Sequence, residues 1–318
     1  MINQTICLDE NFSTTRMLTT MKPVISRGSE GELESVLFLP KGRDRISDGG
    51  LRTRGYFKDK TKGEPLVSVI TVVFNAATYL AETIESVINQ TYPNIEYIII
   101  DAGSTDGTLD IIKEYEHAID YWVSEPDKGI YDAMNKGILA SSGQYTNFLN
   151  AGDSYFSSST ISGVVECLRS GYDIVYGKAL YVNRNGSYVN KFFPQFTLDT
   201  VRSGMIDHQS TFYDASVFRR FGLYDLRYKF LADYEHLIRV LKGNGTTQFT
   251  NETHVLYVEE GYNSSHWFSS TTELFLILRR HFGLSWAIYT VLKKALRKLL
   301  SSLIAPTLKI RIKRILYR

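Results

Sequence analysis

From Leu66 onward the hydrophobic pattern alternates between two periods. Val67 to Phe74 (VSVITVVF) is an unbroken, β-branched run with the length of a strand covered on both faces, and Tyr79 to Gln90 follows with Leu80, Ile84, Val87 and Ile88 at helical spacing. The alternation then recurs. Ile95 to Ile100 predicts a strand, Asp101-Ala-Gly-Ser-Thr-Asp106 a loop, and Thr108 to Tyr115 a helix whose first turn is capped by Ser104, Thr105 or Asp106. Tyr121 to Val123 is a third strand, Tyr131 to Ala140 a helix, and Tyr145 to Leu149 a fourth strand that runs into Asn150-Ala-Gly-Asp153. Strand and helix in turn over about 90 residues predict an α/β fold with a doubly wound, mostly parallel sheet.

Beyond Asp153 the order loosens into a mixed half. It predicts a helix over Ile161 to Arg169, a strand over Ile174 to Tyr176, and a hairpin turning at Asn185-Gly186. A loop with Asp207 and His208 precedes a strand at Ser210 to Tyr213 and a helix at Ser216 to Phe221. An amphipathic helix, Tyr234 to Lys242, is introduced by Asp233, and two strands follow at Thr246 to Thr250 and Val255 to Val258. Residues 1–65 show no sustained period and many glycines, which predicts an irregular arm with one short strand at Ser35 to Leu39. The chain thus divides into an arm (1–65), an α/β domain (66–260) and a helical, basic C-terminal segment (261–318).

Composition sharpens this picture at the C-terminus. With 43% hydrophobic residues the 318-residue chain can bury a full core. Its formal charge of +2 conceals a segregation: Leu274 to Arg318 holds 11 basic residues and no acid, so the remainder carries 25 basic against 34 acidic residues, or −9. An acidic body opposes a polyanion, so nucleic acid is not an expected partner; the basic tail by itself suits an anionic surface. The tail mixes Trp286, Ile288, Leu292, Leu296 and Leu299 with Lys293, Lys294, Arg297 and Lys298, the composition of an amphipathic helix lying on anionic lipid or of a terminal helix packed on the body. These cations also interrupt the best apolar stretch, and the acids and amides of Met1 to Phe12 do not make an export signal. Cys7 and Cys167 are too sparse for a disulfide framework or a zinc site. A cytoplasmic protein, peripheral to the inner face of the membrane, is expected.

Candidate chemistry collects where the predicted strands end. Asn75 follows the first strand, Asp101 ends the second, Glu125-Pro-Asp127-Lys128-Gly129 follows the third, and Asn150 with Asp153 follows the fourth. Loops at the carboxyl ends of a parallel sheet converge on one crevice, where carboxylates can accept from a ribose or a base, helix starts can bind phosphate, and an aspartate can ligate a divalent cation on a diphosphate. The same residue types are favoured helix caps and turn formers, so either role is open at each position. No G-x-x-x-x-G-K-[ST] loop, no G-x-G-x-x-G after the first strand and no G-x-S-x-G elbow is present, which disfavours P-loop, dinucleotide and serine-hydrolase chemistry. What remains is metal- or base-assisted group transfer.

The stretches VSVITVVFNAATYLAETIESVINQTYPNIEYIIIDAGSTDGT (67 to 108), SEPDKGIYDAMNKGI (124 to 138), FLNAGD (148 to 153), HQSTFY (208 to 213) and ADYEHLIR (232 to 239) stand in a particular order and spacing. In that order they resemble the family 2 glycosyltransferases, GT-A-fold enzymes that use nucleotide-sugar donors, and most closely the bacterial branch that builds O-antigen, capsule and related surface polysaccharides. The resemblance implies that Asn75 and Asp101 border the nucleoside and that Asp127 and Lys128 lie along the donor. It implies that Asp153, with Asn150 nearby, holds manganese or magnesium on the diphosphate, and that the loop of His208 lies beside the diphosphate or the acceptor. Asp233 matches the general base of the inverting members, with Glu235 as its rival and helix capping as its alternative role.

Three departures from the family pattern stand out. The usual DDGS reads Asp101-Ala102-Gly-Ser, the usual two or three aspartates of the metal motif read Asn150-Ala-Gly-Asp153, and the acidic pair before the acceptor helix reads Ala232-Asp233. The expected function is inverting transfer of a sugar from a nucleotide-diphosphate sugar to a lipid-linked glycan. The alternatives are transfer to a polyprenyl phosphate and a non-catalytic sugar-nucleotide-binding scaffold.

Overall fold

A computed structural model describes residues 5–23, 35–59, 63–183, 186–189, 192–258 and 267–303. These fall into two compact units, one drawn from 1–227 and 232–260 and the other from 228–231 and 261–318.

In the larger unit the chain first forms three short strands, β1 (Leu18–Thr19), β2 (Ser47–Gly49) and β3 (Phe57–Lys58). The alternating region then follows as β4 (Val67–Val73), α1 (Leu80–Ile88), β5 (Ile95–Asp101), α2 (Thr108–Glu114), β6 (Tyr121–Ser124), α3 (Ile130–Ala140) and β7 (Tyr145–Phe148). The mixed half comprises β8 (Ser154–Tyr155), α4 (Thr160–Leu168), β9 (Ile174–Asn183), β10 (Gly186–Val189), β11 (Thr211–Asp214), α5 (Ser216–Phe221), α6 (Ala232–Lys242) and β12 (Thr247–Val258).

Among the described residues one large sheet runs β2-β6-β5-β4-β7-β11-β9-β12-β8, with β10 on the side of β9. Its centre, β6-β5-β4-β7, is parallel, with Val67 opposite both Ile95 and Tyr145. Every residue of β4 and β5 is buried, which is why their sequences show no alternation. From β4 the chain winds outward through β5 and β6, then returns to β4's other side as β7. The loops after β4 and β7 therefore diverge at the carboxyl edge, the crevice in which open α/β sheets bind ligands. On one face α1, α2 and α4 bury Ile84, Val87, Ile112 and Val165 against Val69, Val73 and Ile99. On the other, α3 approaches so closely that a Cβ on Gly137 would overlap Ile70.

The mixed half follows the expected pattern with two corrections. The strands expected at 246–250 and 255–258 are one strand, β12, paired in parallel with β9; its register shifts between Phe249 and Val255, and Asn251 there takes a left-handed φ of 62°. A bulge had looked like a strand break. The strand expected at 174–176 continues to Asn183, and β10 turns back on it with Gly186 opposite Asn183 as a hairpin; Asn185 lies outside the described residues.

The N-terminal arm lies against the α/β body: β2 adds an antiparallel edge to β6, and β1 pairs with β3. Its anchors include buried charges beside buried apolar residues such as Leu18 and Leu51. Arg52 meets Glu96 of β5 at 2.5 Å and donates to the carbonyls of Leu37 and Ala140, and Lys58 lies 3.6 Å from Asp120. The strand expected at 35–39 is absent; Leu37 and Leu39 are buried from a segment that bends at Leu37 and Phe38 and whose Val36 N–H donates to the Leu139 carbonyl. Ion pairs and strands of two or three residues leave no hydrophobic period to read.

In the smaller unit α7 (Trp267–Phe282) and α8 (Leu284–Leu303) form the basic C-terminal helices. Glu273 of α7 accepts from the N–H groups of Lys229, Phe230 and Leu231. Leu284, Ile288, Leu292, Leu296 and Leu299 of α8 are exposed. Among the described residues no helix is long and apolar enough to cross a membrane. The second basic run, Lys309 to Arg318, lies outside them.

Candidate active site

The loops after β4 and β5 are bolted to each other. Asn75, at a left-handed φ of 49°, donates its N–H to Ser104 Oγ (2.8 Å) and accepts from Thr105 N–H at Oδ1 (2.9 Å). Asp101, fully buried at the end of β5, accepts from Ser104 Oγ and Ser124 Oγ, each at 2.5 Å, and from Ser104 N–H at 3.1 Å. Its carboxylate is therefore engaged in shaping the loop, and a direct contact with a nucleoside, as the resemblance implies, would compete with two serine donors. None of Ser104, Thr105 and Asp106 occupies the cap position of α2, which is Gly107; Asp106, one residue earlier, accepts from the N–H and hydroxyl of Thr108 at the start of the helix.

After β6 the loop closes on α3. Glu125 is ion-paired with Arg45 and Lys136, each at 2.9 Å. Asp127 accepts from Gly129 N–H at 2.8 Å, and burial pushes its carboxyl above the usual pKa. Lys128 is exposed, its N–H donating to Asp132 at 3.0 Å. Gly129, at φ 118°, makes the turn into α3 that a side chain would resist.

A second cluster gathers from β7, α3, the 208–210 turn and α6. Asp153 is 5% exposed; burial pushes its carboxyl up to about 7, against the opposing charge of His208 and a hydrogen bond from Gln209. Its main chain is pinned by Thr83, whose hydroxyl donates to Asp153 O and accepts from Gly152 N–H. Asn150 Nδ2 lies 3.0 Å from His208 Nε2, and Asn150 Oδ1 is buried without a hydrogen-bond partner. His208 Nδ1 lies 3.2 Å from Asp233 Oδ2, while Tyr131 donates its phenol to Asp233 Oδ1 at 2.7 Å.

Asp233 is 3% exposed and sits inside the first turn of α6, so it is not the cap ahead of the helix; its Oδ1 accepts from Tyr234 N–H at 2.8 Å. Burial alone would raise its pKa, but the bonds from His208, Tyr131 and Tyr234 outweigh burial and hold it below the usual carboxylate range. Conversely, burial would lower the pKa of His208, and Asp233, with Asp153 and Asp207 behind it, holds it above the usual value. The result is a buried, ionised carboxylate with a fixed orientation, the state a general base requires. Glu235, the rival, is fully buried and bound to Arg239 Nε at 2.8 Å, and Arg239 donates in turn to the carbonyls of Phe221 and Leu223. It is a structural ion pair.

The candidates thus fall into a loop group (Asn75, Asp101, Asp127, Lys128) and a catalytic-type cluster (Asn150, Asp153, His208, Asp233). Tyr131 and Gln209 belong to the second and escaped the sequence analysis, although both lie in stretches that carry the resemblance, IYDAMNKG and HQSTFY. Among the described residues no three His, Cys, Asp or Glu side chains come together as a metal cage. A divalent cation beside Asp153 would meet a single carboxylate there and would need diphosphate oxygens to complete its shell.

Residues 68–227 match the sequence model of glycosyl transferase family 2. A "PGL/p-HBAD biosynthesis glycosyltransferase" of Mycobacterium bovis (strain BCG / Pasteur 1173P2) is 33% identical over 183 residues, 55% of this chain and 69% of that protein. An uncharacterized glycosyltransferase of Mycobacterium tuberculosis (strain ATCC 25618 / H37Rv) is 35% identical over 180 residues, 55% of this chain and 68% of that one. Among solved structures, S. aureus TarS 1-349 in complex with UDP-GlcNAc superposes with a TM-score of 0.58 at 18% identity, over 67% of this chain and 64% of that one. The chain spans 39% of the longer TarS structure. The mannosyltransferase PcManGT from Pyrobaculum calidifontis, in complex with GDP-Man and Mn2+, matches with a TM-score of 0.53 at 15% identity, over 80% of each chain. These structural likenesses are of fold, and the fold is GT-A.

Proposed function

The chain belongs to glycosyl transferase family 2, and from that premise we propose that it transfers a sugar, with inversion, from a nucleotide-diphosphate sugar to a hydroxyl of a lipid-linked glycan in surface-polysaccharide assembly. The observation that carries the reading is Asp233: a buried carboxylate kept ionised by His208 and Tyr131 can take the proton of an acceptor hydroxyl as that oxygen attacks the anomeric carbon. Asp153 would hold manganese or magnesium against the donor diphosphate. The cation, when bound, stabilises charge on the departing diphosphate. Asn75 and the loop that Asp101 shapes would line the nucleoside, with Asp127 and Lys128 along the donor; Asn150 and His208 orient the base. Neighbouring folds described with UDP-GlcNAc, and with GDP-Man and Mn2+, support a nucleotide-sugar donor.

Residues at the surface of α8 support a peripheral site on the cytoplasmic face of an anionic membrane. At 100° per residue the exposed Leu284, Ile288, Leu292, Leu296 and Leu299 occupy one arc of α8, with Lys293 on one flank and Lys298 on the other. Sedimentation of the full chain with anionic vesicles, lost in a Leu292→Asp/Leu296→Asp variant, is expected; equal sedimentation would remove the membrane from the reading.

The activity test has two arms. A thermal-shift screen of UDP-, GDP- and dTDP-sugars with and without manganese identifies the donor, since a ligand of the native state raises its stability. Asp233→Asn is then expected to abolish transfer and leave donor binding intact. Full transfer by that variant would remove Asp233 from the mechanism, and a folded protein that binds no donor would favour the scaffold alternative.

A further inference from the structure

The hydrogen bond from Tyr131 to Asp233 joins two helices that pack on different neighbours. α3, which bears Tyr131, lies on β4, where Gly137 lets it approach Ile70; α6, which bears Asp233, lies against α5, where His236 stacks on Phe218. A strap, residues 221–224, ties the two helices together. From α6, Arg239 donates to the carbonyls of Phe221 and Leu223, and a Cβ on Gly222, which sits between them at φ 78°, would come within 3.3 Å of the guanidinium. From α3, Asn135 clamps Tyr224 both ways: its Nδ2 donates to Tyr224 O at 2.9 Å, and its Oδ1 accepts from Tyr224 N–H at 3.0 Å. The Tyr224 ring is buried against both helices, its centroid 5.4 Å from that of Tyr131 and 5.3 Å from that of His236. Asn135 is itself buried and stands about one helical turn after Tyr131 on α3.

We propose that Asn135 is a positioning residue for the transfer reaction: by fastening the strap to α3 it holds the Tyr131 phenol on Asp233. This rests on the transferase reading above. An O–H···O bond of 2.7 Å weakens steeply as its partners drift apart or out of line, and this one spans two separately packed helices. Without the clamp the Tyr224 N–H and carbonyl would be buried and unpaired, so the strap would shift to satisfy them and the Tyr131 ring that leans on Tyr224 would move with it. The titratable groups facing Asp233 are Tyr131 from α3, His208 from the 208–210 turn, Tyr213 from β11, Tyr224 from the strap and His236 from α6 itself. Burial keeps Tyr213 and Tyr224 as neutral phenols and His236 as a neutral imidazole, so of these His208 is the neighbour that changes charge near neutral pH. Loosening Tyr131 therefore acts on Asp233 directly, since a carboxylate that loses a donor is more readily protonated.

The test uses the full chain carrying 13C-labelled aspartate, in which the Asp233 carboxyl signal is identified by its loss in Asp233→Asn, together with kcat–pH profiles. Wild-type Asp233 should stay ionised down to about pH 4. Asn135→Leu roughly keeps the volume and removes both bonds; the Asp233 titration and the acid limb of the profile should move to higher pH, the direction expected of Tyr131→Phe, with the donor KM within about twofold of wild type. Adding Asn135→Leu to Tyr131→Phe should give no further shift, because the phenol through which Asn135 acts is already gone. Asn135→Ser takes its place if the leucine variant does not fold, with the same outcome expected. A variant that melts earlier while Asp233 titrates as in wild type would show that Asn135 only satisfies the main chain, and would overturn the proposal. A full further shift in the double variant would also overturn it, since Asn135 would then reach Asp233 by another route. A wild type that transfers no sugar would bring down the transferase reading, and the role in the reaction with it, while the titration would still decide whether the clamp holds the phenol.

Discussion

His208 Nδ1 lies 3.2 Å from the Asp233 carboxylate, and its Nε2 meets Asn150 Nδ2 at 3.0 Å, so a single imidazole links the loop after β7 to α6, which bears Asp233. With the Asn150 amide nitrogen donating to Nε2, the ring proton sits on Nδ1 and faces Asp233. Protonation of Nε2 would turn the amide and bring Asn150 Oδ1, which has no hydrogen-bond partner, onto the imidazolium. Both states keep a donor on Asp233.

Tyr131 supplies the second side-chain donor, and its removal has a signed consequence. A base is active when ionised, and Asp233 is held below its usual pKa partly by the Tyr131 phenol. In Tyr131→Phe the carboxylate loses that bond, its pKa rises, and the acid limb of the kcat–pH profile should move to higher pH. Transfer rates from pH 4 to 8 measure this. An acid limb that stays in place would show that the limb belongs to another group.

Glu235 is two residues from Asp233, but the two acids have opposite environments. Glu235→Gln should leave the transfer rate per folded molecule within a few-fold of wild type, whereas Arg239→Ala should lower stability by about 3 kcal/mol, because it strands a buried carboxylate and two carbonyls. Urea unfolding and turnover on the same samples separate the effects. A large loss of rate with unchanged stability in Glu235→Gln would reinstate it as the base.

What was legible in the sequence follows from which forces leave a period. Val67–Val73 and Ile95–Asp101 are buried on both faces, so continuous β-branched runs revealed the parallel centre, and the residues after them marked its carboxyl edge. The chemistry at that edge was legible only as residue types. Residue type alone does not distinguish Asp101, closed off by Ser104 three residues on and by Ser124, from Asp233, held by His208 and Tyr131, because Ser124, His208 and Tyr131 are distant in the chain. The same holds for Glu235, whose partner one helical turn on could be read, but whose burial could not.

The N-terminal arm was illegible because its buried apolar residues, Leu18, Leu37, Leu39, Leu51 and Phe57, follow no period and part of its anchorage is ionic. Arg52 Nη2 reaches Glu96 at 2.5 Å, and Glu96 also accepts from Ser68 and Ser142; burial would raise its pKa, but Arg52 and the two serines hold it down at about 2. Arg52→Met should cost about 3 kcal/mol by leaving Glu96 buried without its cation, and the double variant Arg52→Met/Glu96→Met should recover much of that loss. Chemical denaturation of the three proteins checks it. Equal stability of Arg52→Met and wild type would mean that the arm contributes nothing through this pair.

His236 provides the remaining pH prediction. Its ring stacks on Phe218 at 5.0 Å and 17°, with Tyr213 and Tyr224 at its edges, and its nitrogens make no full hydrogen bond, only a looser contact with the backbone at Gly222. Burial, helped by Arg239 and opposed by Glu235 and Asp233, lowers its pKa to about 3. The unfolded chain takes up this proton near pH 6.5, so the group's contribution is intact above that pH and is lost as pH falls from about 6.5 toward 3. Phenylalanine keeps the stack and has no proton to gain. Relative to wild type, His236→Phe should therefore change little at pH 7.5 and gain on the order of 2 kcal/mol by pH 4. Comparing the two proteins at both pH values, rather than following wild type alone, matters because Asp120 and Asp153, raised to about 6 and about 7, titrate with the opposite sign in the same window. A stability difference that stays constant with pH would mean that His236 is protonated alike in the folded and unfolded chain.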